Sequence, residues 1–442
     1  MRGVAAELAF ARQYEAARGA SGAREPAWLA RLRAEAFDAF AAHGLPTTRH
    51  EDWRFTSLAK LETVQFAQTP EVDGTPAAAA ARERVALGDA HRLVFVNGRH
   101  APALSSVGAL PAGCRVEPLS ALLASDAGAV ERVLASAADP KQRALVALNT
   151  ALFSDGAFVE LADGAALVRP LHVLYLQASA AAPTASHVRT LVSAGAGSRA
   201  LIVEQHAGDT RTTDFTNAVT ELRAGRDAQL QHVLIQDLPA QSFAASAVLS
   251  RQDGSSRLGL HQIALGAALA RAEVESRLEA EEAELALLGL YLGRGAQHPD
   301  HHTTIDHAAP HTRSRELYKG ILDERAHGVF HGRIHVRPHA QKIAAEQTNR
   351  ALLLSDRATI NSKPQLEIYA DDVKCSHGAS IGQLDAAQLF YLRARGLDLD
   401  AARALFTAAF ASEVLESLPH EALRAALERA LFAWLPASGG RA

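Results

Sequence analysis

The chain has 442 residues, 48% of them hydrophobic and 21% charged, so it can bury a large core and form two or three domains. Its 45 basic and 49 acidic residues give a net charge of -4, which provides no broad electrostatic attraction to nucleic acid or an anionic membrane. Two cysteines cannot form a disulfide framework, and no apolar run approaches the ~18 residues of a membrane span, so we expect a cytoplasmic protein without a secretion signal.

Residues 1–90 predict an N-terminal helical domain. Its first residues have the pattern of an amphipathic helix, and residues 26–44 have a proline near the start, a Leu/Phe stripe at helical spacing and a closing glycine. Residues 91–155 predict a mixed connecting region. It contains a hairpin that turns at Asn97-Gly98 and helices within residues 116–138.

Residues 156–383 carry an internal repeat of about 29 residues, each with a β-type run, a short polar turn and a second β-type run. The repeats start at Leu161, Leu191, Leu222, Leu249 and Leu278, and continue more loosely at Ile305 and Ile334. A fixed period without long helical segments favours a β-solenoid whose stacked coils share one core. The predicted fold is therefore mainly β.

Residues 384–442 predict a C-terminal helical domain. Asp385 can cap a helix that closes at Gly396, and a second helix runs from about Asp400 to Ser417 with Pro419 as its stop. The second helix has one apolar stripe, formed by Leu405, Phe406, Phe410 and Val414. Such a stripe packs on its own domain or docks a partner.

Cys375 and His377 lie between a strand-like segment and the first C-terminal helix. In an extended segment, residues i and i+2 project from the same face, so the thiolate and the imidazole could reach one common atom. Two ligands are too few for a closed metal site. The pair is therefore either a structural cysteine beside a hydrogen-bonded histidine, or part of a site that another group completes.

Three segments resemble the SufB/SufD family, scaffold subunits of the SUF iron-sulfur cluster assembly machinery. They are GLPTTRHEDWRFTSL at residues 44–58, residues 301–356, and QLEIYADDVKCSHGASIGQLDAAQLFYLRARG at residues 365–396. Within the family the chain resembles the SufD type, because the SufB type usually reads Cys-Glu-His-Glu-Ala where Cys375-Ser376-His377-Gly378-Ala379 stand here. The SufB type also carries further cysteines upstream, so a complete cluster-building site is not expected on this chain alone.

The resemblance implies a right-handed parallel β-helix and a non-enzymatic scaffold role in a SufBCD complex. It implies a heterodimer with a SufB-like subunit, in which His377, the stronger candidate, and Cys375 contribute to an interfacial site for a transient iron-sulfur cluster. It also implies that the C-terminal helices dock the ABC ATPase SufC. The sequence contains no G-x-x-x-x-G-K-[ST] motif, so we expect ATP hydrolysis to come from the partner.

Two further expectations concern cofactor and assembly. The family's complex has been associated with a reduced flavin, but no Gly-x-Gly-x-x-Gly fingerprint follows a predicted strand here, so FAD binding stays open. The end of a β-solenoid exposes strand edges, and a homodimer of the isolated chain is therefore plausible.

The sequence leaves two other functions open. The first is a metal-dependent hydrolase that uses a histidine cluster. Pro299 and Pro310 favour a loop or coil edge for this segment. The ligands would be His301, His302, His307 and His311, with His298 and Asp300 or Asp306 nearby. The second is a secreted β-helix enzyme acting on polysaccharide, which would need paired carboxylates that the sequence does not offer. Another histidine series recurs every fourth residue and predicts surface imidazoles on one strand face: His327, His331, His335 and His339.

Overall fold

A β-solenoid forms the centre of the computed structural model, which describes residues 5–21, 25–67 and 72–435. Each of its eight described coils contributes one strand to each of two parallel sheets, so successive strands alternate between the sheets. The solenoid strands are β4 (Asp155–Leu161), β5 (Ala166–Gln177), β6 (Ala185–Ala194), β7 (Arg199–Gly208), β8 (Phe215–Ala224), β9 (Gln229–Asp237), β10 (Phe243–Gln252), β11 (Arg257–Ala264), β12 (Leu269–Leu278), β13 (Glu284–Gly293), β14 (His298–His307), β15 (Arg313–Leu322), β16 (His327–Val336), β17 (Ile343–Leu353), β18 (Thr359–Ile368) and β19 (Val373–Gln383). The predicted β-solenoid is confirmed.

The repeat arises because side chains alternate between the lumen of the solenoid and its outer faces. One lumen column stacks residues from successive coils of the even-numbered strands, namely Val192, Leu222, Ser250, Ser276, Ile305 and Ile334. Short turns with one residue in the left-handed region join the two strands of a coil, as at Gly197 (φ 65°) and Asp227 (φ 58°). Turns of such constant shape keep the coil length nearly fixed.

The connecting region extends both sheets and covers one end of the solenoid. β1 (His91–Val96) and β2 (Arg99–His100) form the predicted hairpin, and β1 pairs in parallel with β5. β3 (Cys114–Pro118) pairs antiparallel with β4. Among the described residues, 3-10 turns lie at Glu51–Trp53, before this region, and at Pro102–Leu104, within it.

Helices from the first part of the chain pack on the outer faces of both sheets. They are α1 (Ala5–Ser21), α2 (Ala27–His43), α3 (Ala59–Glu62), α4 (Thr75–Arg84), α5 (Leu119–Ser125), α6 (Ala127–Val133) and α7 (Ala144–Leu152). Phe10 and Phe40 from α1 and α2 pack with Phe215 and Phe243 of the even-numbered sheet. The helices predicted at residues 26–44 and 116–138 are confirmed.

The C-terminal segment returns along the outer face of the odd-numbered sheet. It consists of α8 (Ala386–Ala394), α9 (Leu399–Leu415) and α10 (Glu421–Trp434). Leu415 and Leu431 pack there against Leu317 and Ile321 of β15. Asp385 and Asp398 cap α8 and α9, accepting from backbone N–H groups in the first turns. α10 was not predicted. None of the described helices is long and apolar enough to cross a membrane.

Candidate functional site

The last coil of the solenoid is uncovered. No residue of β18 or β19 is buried, in contrast to the strands of the preceding coils. β18 pairs only with β16 and β19 only with β17 among the described strands, so each presents an unpaired edge. Ile368, Tyr369 and Ile381 are 38%, 61% and 53% exposed. An apolar surface bordered by free strand edges is suited to binding another polypeptide.

Cys375 and His377 lie on β19, within this uncovered coil. They pair in register with Ala345 and Gln347 of β17, and Cys375 packs against the lumen core. Being two residues apart on one strand, they project from the same face. Cys375 is half-buried and His377 is exposed. A thiol and an imidazole therefore stand side by side at the open end of the lumen.

Burial raises the pKa of the Cys375 thiol, although a backbone hydrogen bond from Ala345 opposes part of the effect. The thiol of the isolated chain is therefore protonated at neutral pH and is a weak nucleophile. Binding of iron would displace the proton, because thiolate is the form that coordinates metal.

A buried polar column continues from His377 into the lumen. Gln347, the register neighbour of His377, donates from Nε2 to Oε2 of Glu316 on β15 at 2.7 Å. Both side chains are fully buried, and neither Oε1 of Glu316 nor the amide oxygen of Gln347 has a hydrogen-bond partner. Burial raises the pKa of Glu316 to about 7, even though the Thr303 and Gln347 side chains counteract the shift.

Glu316 should make folding stability depend on pH. Because its folded pKa of about 7 exceeds the ordinary 4.5, its stabilising contribution is complete below pH 4.5 and is lost as the pH rises through 7. We expect the free energy of unfolding of the wild type to fall, relative to that of Glu316→Gln, by about 3 kcal/mol between pH 4.5 and 8. Denaturant titrations at several pH values measure this difference.

The exposed Glu83→Gln serves as the matched control and should follow the wild type at every pH. Parallel stability curves for the wild type and Glu316→Gln would show that Glu316 ionises normally in the folded chain.

The predicted apolar stripe of α9 is divided between the protein interior and its surface. Val414 is fully buried and Phe410 half-buried against the odd-numbered sheet, where Lys319 donates to the Phe410 carbonyl at 2.8 Å. Leu405 is 49% exposed and Phe406 is half-buried. Val414 therefore stabilises the attachment of α9 to the solenoid, and only the beginning of the stripe is accessible.

The histidines of the alternative hydrolase site do not converge. The residues from His298 to His307 form strand β14 rather than the expected loop, so alternation points His301 and His307 into the lumen and His302 outward. His301 lies between the rings of Tyr291 and Tyr318. His307 hydrogen-bonds Thr312 and Ser314, and His311 occupies the following turn with φ 59°.

Three members of the second histidine series lie on the outer face of β16 as predicted, whereas His339 lies in the turn that follows the strand. His331, however, is not a solvated surface group. It is 8% exposed because the segment at Glu51–Trp53 packs over it, and burial lowers its pKa below the ordinary value. The rings of His302 and His331 meet edge to face, with centroids 5.0 Å apart and planes at 74°, and Asp52 lies beside both.

The fold and its open end define a β-solenoid protein with helical segments on both flanks. Residues 4–173 match the family model for the SufBD protein N-terminal region, and residues 175–410 match that for the SUF system FeS cluster assembly SufBD core domain. The chain therefore belongs to the SufBD family of iron-sulfur cluster assembly proteins.

Curated relatives agree over most of the chain. It is 35% identical over 415 residues to an iron-sulfur cluster assembly SufBD family protein of Synechocystis sp., covering 92% of this chain and 91% of the relative. It is 31% identical over 395 residues to SufD of Escherichia coli K12, covering 86% and 87%. SufD of Bacillus subtilis is 25% identical over 415 residues, covering 91% and 92%. The chain is a SufD-like member of the family.

Two groups of polar residues at the site were missed in the sequence. Glu316 could have been found from the alternation of inward and outward side chains along β15, because it occupies an inward position between Ser314 and Tyr318. The contact of Asp52 with His302 and His331 has no comparable signal, because about 250 residues separate the two segments and only the folded chain joins them.

Proposed function

We propose that this chain is a non-ATPase scaffold subunit of a SufBCD-type complex. Its uncovered final coil pairs with a SufB-like subunit, and His377 and Cys375 contribute an imidazole and a thiolate to a nascent iron-sulfur cluster at the interface. The cluster is the cargo of the complex. A SufC-like ABC ATPase binds the C-terminal helices and supplies the ATP hydrolysis.

The single observation that carries the proposal is the position of Cys375 and His377 on an exposed coil with free strand edges. An iron-sulfur centre normally has four protein ligands, so two side chains at an open end fit a site shared with a second chain. Imidazole binds iron more weakly than thiolate does, which suits a cluster that must be released after it is built.

An exposed surface on α8 and the start of α9 supports ATPase docking. This C-terminal apolar surface consists of Phe390, Tyr391, Leu399 and Leu405, which are 72%, 56%, 41% and 49% exposed. No residue of α8 is buried, whereas α9 is fastened to the solenoid by Lys319. A helix with large aromatic side chains and little attachment to its own domain is suited to a hydrophobic groove on a partner.

Co-purification of this chain with SufB-like and SufC-like subunits tests the assembly. The wild type should recover both partners in one complex. Phe390→Asp should lose the SufC-like subunit and retain the SufB-like one, because a carboxylate in an apolar groove is costly and the open end of the solenoid is unchanged. Size-exclusion chromatography with quantified subunit bands measures both results.

Val168→Asp provides a matched control, because Val168 is 84% exposed and lies on β5, in the first described coil of the solenoid. Retention of the SufC-like subunit by Phe390→Asp would exclude the C-terminal apolar surface as its binding site. A wild-type chain that forms a homodimer and still excludes the SufB-like subunit would overturn the pairing.

A further inference from the structure

A second group of potential metal ligands lies on the outer face of the even-numbered sheet. Asp52, His302 and His331 each offer one ligand atom, and these three atoms all lie within 4.8 Å of one another. The group is distinct from Cys375 and His377, which occupy the odd-numbered sheet at the open end. The carboxylate comes from the segment GLPTTRHEDWRFTSL, residues 44–58.

The Asp52 segment is held firmly over the histidines. The Arg271 guanidinium lies over the Trp53 ring at 3.9 Å, and its Nη1 donates to the Asp52 carbonyl at 2.8 Å. Thr56 donates to Oδ2 of Asp300 at 2.6 Å, which ties the end of the same segment to β14. These contacts keep the Asp52 side chain close to the histidines, although it is itself 56% exposed.

Hydrogen bonding fixes the His302 ring. The two hydrogens of Arg271 Nη1 are used by the Asp52 carbonyl and by Oδ2 of Asp300, at 2.8 and 2.7 Å. His302 Nε2 lies 2.9 Å from this nitrogen but also 3.0 Å from Oδ1 of Asp300, an oxygen that has no other partner. We assign the ring hydrogen to Nε2, which leaves the Nδ1 lone pair for a metal. A carboxylate behind a histidine is the usual outer partner of such a ligand.

His331 is oriented in a similar way. Its Nε2 lies 3.4 Å from Oε1 of Gln365, and its Nδ1 lies 3.8 Å from Oδ1 of Asp52. A ring hydrogen on Nε2 would place a nitrogen lone pair opposite a carboxylate oxygen, an arrangement that a cation between them would stabilise. A cavity of about 40 Å³ lies beside these side chains, which is room for an ion with a water ligand.

The positive groups around the cavity are neutralised by other carboxylates. Arg271 is paired with Asp300 and Glu273 at 2.7 and 2.8 Å, and Arg143 is paired with Glu275 and Glu273. Arg333 lies 4.0 Å from Glu367. The Asp52 carboxylate is therefore available to balance the charge of a bound ion.

We propose that Asp52, His302 and His331 form a binding site for a divalent first-row transition ion. Two imidazoles and one carboxylate with open positions are the ligands of non-haem Fe²⁺ sites and of many Zn²⁺ sites. If the ion is Fe²⁺, an identity that rests on the proposed function, the site holds iron on the scaffold away from the cluster interface.

Anaerobic titration of the full-length chain with Co²⁺, followed by visible absorption and calorimetry, tests the site. We expect one ion per chain, competed by Zn²⁺ and Fe²⁺. Asp52→Asn and His331→Asn should each lower the affinity for Co²⁺ by at least roughly 10- to 100-fold, which is the loss caused by removing an outer-shell partner of a ligand. His339→Asn, an exposed histidine bonded to the Ala308 carbonyl, should leave binding unchanged.

The Cys375→Ser and His377→Ala double variant separates this site from the proposed cluster interface, and it should bind Co²⁺ like the wild type. Asp52 is exposed, so circular dichroism of Asp52→Asn should show a normally folded chain. The proposal is overturned by affinities weaker than about 1 mM, or by stoichiometric binding that survives both Asp52→Asn and His331→Asn. Neither result depends on whether the complex assembles clusters.

Discussion

His377→Ala is expected to abolish the accumulation of iron and sulfide on a complex of this chain with SufB-like and SufC-like subunits, without dissociating the complex. His377 is exposed on β19, so its loss removes a ligand and leaves almost no cavity. Surface substitutions of this kind usually change stability by less than about 0.5 kcal/mol. Anaerobic reconstitution followed by iron and acid-labile sulfide analysis measures the effect.

The control is His43→Ala, which removes an exposed imidazole from the end of α2, in a different part of the chain. It should accumulate iron and sulfide at the wild-type level. A normal cluster yield from His377→Ala would exclude this imidazole as an essential ligand. Loss of the SufB-like subunit from that variant would instead assign His377 to the interface contact.

The largest loss of folding stability is expected for Glu221→Leu. Glu221 accepts backbone N–H bonds from Ala135, Ala137 and Ala138 at 2.8 to 3.0 Å. It is also bonded to Arg189 at 2.6 Å, and both side chains are completely buried. Leucine would leave three N–H groups and a buried guanidinium without their acceptor. Removal of one member of a buried ion pair costs about 3–5 kcal/mol.

Denaturant unfolding should report this loss, and hydrogen exchange should locate early opening between α6 and α7. Glu284→Gln is the comparison, because Glu284 forms only exposed contacts with Arg257 and Arg313 and should cost less than about 1 kcal/mol. A loss below 1 kcal/mol for Glu221→Leu would mean that water readily replaces the carboxylate.

The solenoid was predictable because its signal is local and repeated. Each coil has about the same length, and alternation at residues such as Val274 and Leu278 marks the lumen face. The hairpin turn and the helix caps at Asp385 and Gly396 were equally local, since backbone conformation at a turn depends on the residues in it. The strand β14 was misread because Pro299, although it lacks an N–H, lies next to the start of its strand.

The features that escaped prediction depend on contacts between distant segments. The burial of His331 requires Asp52 to lie over it, and neither segment shows this in its own pattern. The division of the α9 stripe likewise depends on where the helix meets β15, which buries Val414 but leaves Leu405 exposed. Periodicity identifies an apolar stripe but does not identify its partner.

Because β19 has an uncovered edge, the register in which another strand pairs with it would decide which side chains lie near Cys375 and His377. A strand that adds to this edge takes its alignment from the backbone hydrogen bonds of β19, so its side chains reach the lumen at positions set by Cys375 and His377. Because alternation has a period of two, a shift of one residue would turn every inward group of the added strand outward. A partner would therefore have to match the register of β19 for its ligands to reach the same ion.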